Sequence, residues 1–100
     1  MRKITKQDEV SKEGSSILMI GTDWCNYCGF TKKALKAVAA DRSDVEVCFL
    51  DGDEDPDALK NAGGATYPLI ILFKDGERVA SRESAKEPEL RAWLAEHGVA

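Results

Sequence analysis

Ile17-Leu18-Met19-Ile20-Gly21-Thr22-Asp23-Trp24-Cys25-Asn26-Tyr27-Cys28 is the stretch that decides the fold. Its apolar run, closed by a glycine, is the pattern of a short strand buried on both faces. Beyond Cys25 the periodicity becomes helical. Phe30, Ala34, Leu35, Val38 and Ala39 recur on one side, while Lys32, Lys33 and Lys36 point mostly toward solvent, which predicts a helix over Cys25–Ala40. A Cys-x-x-Cys pair at such a strand-to-helix junction reads as a redox dithiol and not as a structural staple. Thiolate is the reactive form of cysteine, and the positive end of a helix dipole favours it.

Working outward, the first 16 residues apart from Met1 hold only Ile4 and Val10 as sizeable apolar groups. They read as a short helix over Thr5–Lys12 that ends near Gly14. Downstream, Val45–Leu50 is rich in β-branched and aromatic residues and forms a second strand. Asp55-Pro56 starts a helix, with the aspartate as cap and the proline in the first turn, and Gly63-Gly64 ends it. Leu69–Phe73 is a third strand. Lys74-Asp75-Gly76-Glu77 turns it back into a fourth, Arg78–Ser81. Pro88 opens a final helix whose Leu90, Trp93 and Leu94 face the core and which Gly98 stops. Strands alternating with helices imply parallel pairing, and the hairpin adds an antiparallel part. The fold class is therefore α/β, with a mixed central sheet flanked by helices.

One hundred residues suit one domain, over 1–100, with a single core. With 43% hydrophobic and 32% charged residues, the chain has the composition of a globular protein and not of a disordered one. A net charge of -4 gives no basic footprint for nucleic acid. Three cysteines are too few, and odd in number, for a disulfide-stapled scaffold. The longest apolar run, Leu69–Phe73, is far short of the roughly 18–20 residues of a membrane span. The polar start carries no signal-peptide pattern, so the expected compartment is the cytoplasm if Met1 is native, or the periplasm if a leader was removed.

With these elements in place the chain resembles thioredoxin over about residues 17–98. Four features carry the resemblance, in the right order. They are Trp24-Cys25-x-x-Cys28 at the strand-to-helix turn, Asp51-x-Asp53 at the end of the next strand, Thr66-Tyr67-Pro68 before the third strand, and the Phe73-Lys74-Asp75-Gly76-Glu77 hairpin. The resemblance implies a three-layer thioredoxin-like fold and a dithiol–disulfide oxidoreductase with no cofactor or metal. Cys25 would attack and Cys28 would resolve the mixed disulfide. Pro68 would follow a cis peptide bond against the dithiol, with the Tyr67 backbone pairing with an extended substrate. Trp24 would shield one side of the cysteines, and Asn26, Tyr27 and Thr66 would complete the substrate-binding rim. Implied partners are protein disulfides, a flavin-dependent reductase or membrane thiol partner, or glutathione, acting on a monomer.

The departures from that family are specific. Met19 stands where thioredoxins keep a buried acid beneath the dithiol, and Phe49 where they keep the lysine that pairs with it. Lys33 replaces the usual proline of the helix, and Ser84 a glycine near the substrate groove. Asn26-Tyr27 replaces Gly-Pro, and the tyrosine, like Thr66-x-Pro68, is a glutaredoxin feature. The glycine pair with which glutaredoxins hold glutathione is missing, since Val79-Ala80-Ser81 follows the hairpin. Three functions follow from this mixture: exchange with protein disulfides, glutathione-dependent reduction, or a binding module that kept the fold without useful catalysis.

Other polar clusters read as structure. Zinc takes four ligands, and beyond Cys25 and Cys28 the single histidine, His97, lies at the far end of the last helix. The acidic run Asp51–Asp57 starts like a calcium loop, but Pro56 stands where such a loop needs glycine and Ala62 where it needs a bidentate glutamate. Cys48, between Val47 and Phe49, reads as a small buried hydrophobe.

Overall fold

The computed structural model describes residues 1–99. Its core is a five-stranded sheet of β1 (Arg2–Ile4), β2 (Ser15–Gly21), β3 (Val45–Asp51), β4 (Leu69–Lys74) and β5 (Glu77–Arg82). The strand order is β1-β3-β2-β4-β5. β1 and β2 both run parallel to β3, whereas β4 is antiparallel to β2 and to β5. Helices α1 (Asn26–Asp41), α2 (Ala58–Asn61) and α3 (Glu87–Glu96) complete the fold.

β2 is the middle strand, and its sequence shows why. Ile17 and Met19 face one core with Val47, Phe49, Ile70 and Leu72, against α1 and α3. Leu18 and Ile20 face the other with Cys48, Leu50 and Ile71, under Ile4, Val10 and α2. Because side chains alternate along a strand, a run that is apolar at every position must be covered on both sides. The three-layer mixed architecture expected from the sequence is the one observed.

The N-terminus corrects the reading of a helix over Thr5–Lys12. Residues Arg2–Ile4 form an edge strand in register with Cys48–Leu50, and the helical part is one 3-10 turn, Gln7–Glu9. Three residues are too few to display a period of two, and only Ile4 among them is buried. The Glu9 carboxylate accepts the backbone N–H groups of Thr5 and Lys6, which closes the turn, and the Ser11 N–H goes to Glu46 at 3.3 Å instead of extending it. α2 is also shorter than expected. Asp55 caps a preceding turn, accepting the Asp57 N–H, and Pro56 lies outside the helix, which starts only at Ala58. Gly63, at φ 82°, ends it as read.

The hairpin is a two-residue turn with both central residues at positive φ, Asp75 at 52° and Gly76 at 83°. That backbone twist matches the twist of the strands it joins. At the last helix the Glu89 side chain accepts the Lys86 N–H, a cap at the end where Pro88 enters. Gly98, at φ 77°, lets the Val99 N–H return to the Leu94 carbonyl.

Candidate active site

The site lies where β2 hands the chain to α1, beside the loop that leads into β4. Cys25 is the N-cap of α1: its backbone is extended while Asn26 is already helical. Its Sγ accepts the Cys28 N–H at 3.3 Å, the position a serine or aspartate oxygen fills in an ordinary N-cap. The Cys25 thiol is half-buried and donates to the Tyr67 carbonyl at 3.4 Å. Cys28, one turn into the helix, is buried, and its Sγ accepts the Thr22 N–H at 3.5 Å. Both are free thiols. Burial, and then the neighbouring Cys25, push the Cys28 thiol up to about 12.

Beneath Cys28 the packing is apolar. Met19 and Phe49 lie in the same core cluster as Cys28, where the resemblance to thioredoxins put them. Gly21 makes room for the sulfur: a Cβ there would fall 3.0 Å from Cys28 Sγ and 2.9 Å from Met19 Cε. Phe49 does not leave this corner without charge, because Lys32 Nζ sits 4.3 Å from its ring centroid. That is a cation–π contact, and it brings an ammonium to the edge of the site from α1.

The Tyr67–Pro68 peptide bond is cis, as the resemblance implied. Tyr67 is half-buried, and its ring lies against Gly52, where a Cβ would come within 2.5 Å of it. The ring meets Trp24 edge-to-face at 5.9 Å. Trp24 Nε1 donates to Asp53 at 3.0 Å, and Asp51 accepts the Asp53 N–H, so the acidic strand end fixes the indole. Trp24 and Tyr27 remain 68% and 61% exposed, two large aromatic surfaces on either side of the cysteines. Tyr27 packs edge-on against Phe30. Asn26 is exposed at the first helical position. Thr66, Tyr67 and Pro68 line a groove of about 410 Å³ with Tyr27, Glu83 and Ser84.

The structure therefore brings all the sequence-selected residues to one face of the molecule. It adds some that the sequence reading did not select: Thr22, Gly52, Lys32 and Glu83. Of these, Gly52 carried a signal, since a glycine at a strand end marks close approach of another group. Cys48 lies in the other core cluster, with its thiol donating to Glu46 at 3.2 Å and its sulfur accepting from the Arg2 guanidinium at 3.8 Å. It takes no part in this site.

A buried thiol one helical turn from an accessible one, with a cis-proline loop alongside, is a dithiol exchange centre. The sequence pattern described as Thioredoxin matches residues 2–96. The chain belongs to the thioredoxin family. Members of that family are dithiol–disulfide oxidoreductases, and this chain carries their reactive pair as Cys25 and Cys28. It is 30% identical over 92 residues to a thioredoxin of Chlamydia muridarum, covering 89% of this chain and 90% of that one. It is 32% identical over 81 residues to thioredoxin H2 of Arabidopsis thaliana, where the match covers 79% of this chain but 61% of the relative. Thioredoxin of Fasciola hepatica has the same fold, with a TM-score of 0.81 over 97% of this chain and 99% of its own, at 22% identity.

Proposed function

We propose that this thioredoxin-family protein, acting as a monomer, exchanges its Cys25–Cys28 dithiol with disulfides in extended segments of other proteins. Cys25 is the attacking sulfur and Cys28 the resolving one. The observation that carries this reading is the asymmetry of the pair: Cys25 is half-buried at the mouth of the site, and Cys28 is closed off beneath it. An incoming disulfide reaches Cys25 alone. The irregular backbone of Thr66 and Tyr67 before the cis-proline suits an extended strand, which would gain main-chain hydrogen bonds there, the Tyr67 carbonyl being released when the Cys25 proton leaves. Trp24, Tyr27 and Tyr67 supply the apolar walls.

The electron donor in this reading is a flavin-dependent reductase or a membrane thiol partner, not glutathione. Glutathione carries two carboxylates, and the groove beside Pro68 presents Glu83 with no lysine or arginine to offset it. Like charges on the two sides of a contact disfavour it. Insulin reduction separates the donors. Turnover with NADPH and a thioredoxin reductase, and little with glutathione, NADPH and glutathione reductase, is expected. The reverse order would reassign the protein to glutathione chemistry, and inactivity with every donor, including dithiothreitol, would overturn exchange itself.

A further inference from the structure

Cys28 shares a cavity of about 70 Å³ with Met19, Thr22, Asp23, Gly29, Lys32 and Phe49. Its volume exceeds the roughly 10–15 Å³ that one water needs. Thr22 is 3% exposed, and its Oγ1 is buried with no hydrogen-bond partner. The other such oxygen among the described residues, Ser16 Oγ, belongs to the opposite end of β2. A buried hydroxyl without a partner is costly, and most are satisfied. This one lines the same small space as the sulfur that receives the Thr22 N–H.

We propose that the Thr22 hydroxyl is a catalytic residue of the resolving step, donating a hydrogen bond to the Cys28 sulfur as that sulfur becomes anionic. The inference rests on the assignment of resolution to Cys28. In that step the Cys28 S–H bond breaks and its proton leaves through the cavity. The Cys28 sulfur attacks Cys25, the Cys25–Cys28 bond forms, and the bond from Cys25 to substrate breaks. The substrate sulfur departs with the electron pair and takes a proton from solvent. Two electrons have then passed from the protein dithiol to the substrate disulfide.

The charged groups that face Cys28 divide by element. Asp23 and Lys32, from the β2–α1 loop and from α1, line the cavity; Cys25 lies above, and the Tyr67 phenol comes from the loop before β4. Met19 and Phe49, from β2 and β3, offer no proton acceptor. Thr22 is thus the one hydroxyl in the lining, and Asp23 and Lys32 mark the polar side through which a proton exits. The Thr22 N–H already acts against the burial that raises Cys28.

The test uses the reduced protein and dithiobis(nitrobenzoate) in a stopped-flow spectrometer. The first nitrothiobenzoate released reports attack by Cys25, and the second reports attack by Cys28 on the adduct. Thr22→Val keeps the shape and removes the hydroxyl. It should leave the first phase unchanged, slow the second about tenfold, the equivalent of one hydrogen bond to a charged group, and move its pH profile upward. Thr22→Ser should restore both. If the valine variant does not fold, Thr22→Ala, which adds no volume, takes its place. A second phase with wild-type rate and pH profile in the hydroxyl-free variant would overturn the proposal. A wild-type protein with no second phase would instead overturn the assignment of resolution to Cys28.

Discussion

Cys28 holds its proton far above neutral pH because the sulfur is buried beside a second thiol, with apolar Met19 and Phe49 below. The consequence for stability has a definite sign. Between the ordinary thiol value of 9.0 and the folded value of about 12, an unfolded chain releases this proton while the folded one keeps it. The stabilisation is complete below about pH 9 and is lost as pH rises toward 12. We expect the reduced protein to lose up to about 1 kcal/mol per pH unit in this window relative to the Cys25–Cys28 disulfide form, which has no such proton. Urea midpoints of both forms, taken through the alkaline range, check it; parallel curves would contradict it. Cys48, raised to about 11, titrates in both forms and cancels in the comparison. Gly21 is the second sensitive residue. Gly21→Ala would press on Cys28 Sγ and Met19 Cε, and we expect a loss of about 1–3 kcal/mol together with a changed redox equilibrium of the pair. An alanine variant with unaltered midpoint and equilibrium would show that the core yields there freely.

Elements differ in how plainly their sequences announce them. β2 and β4 were legible because every residue of their runs is apolar, and α1 because its lysines and its apolar stripe separate at helical spacing. The hairpin was legible from Asp75-Gly76 alone, since few other pairs accept positive φ at both positions. β1 was hidden. Its stability comes from Ile4 in the second core cluster and from pairing to β3, neither of which three residues can encode locally. Two measurements follow at this scale. Ile4→Ala should cost about 2–5 kcal/mol of unfolding free energy, the range for deleting a buried aliphatic side chain. Gly76→Ala, at φ 83° and with its Cβ 3.1 Å from the Lys12 side chain, should cost about 1–2 kcal/mol. A loss below 0.5 kcal/mol, about the spread of an exposed surface change, would place Ile4 or Gly76 outside the stabilising framework.

Across the whole molecule, the two cores place one thiol beyond the C-terminal end of the central strand and its partner buried beneath it. The sequence motifs located this site through Cys25, Cys28 and Pro68. They did not reveal its electrostatics, because Lys32 and Glu83 reach it only through the packing of α1 and the loop after β5, and because the burial of Thr22 is set by the folded strand end. Surface charge then shapes substrate choice. Glu83 borders the groove and the net charge is -4, so disulfides flanked by arginine should react several-fold faster than those flanked by glutamate at low salt. The difference should shrink in Glu83→Gln and at high ionic strength. Equal rates for both peptides would remove charge from the account of specificity. The division of labour between the two sulfurs is the claim on which the rest depends. Its most direct measurement replaces Cys28 with serine, mixes the variant with a disulfide-containing protein, and locates the trapped linkage by peptide mass spectrometry. A stable mixed disulfide on Cys25 alone is the result expected. Linkage through Cys48, or none at all from a correctly folded variant, would contradict it.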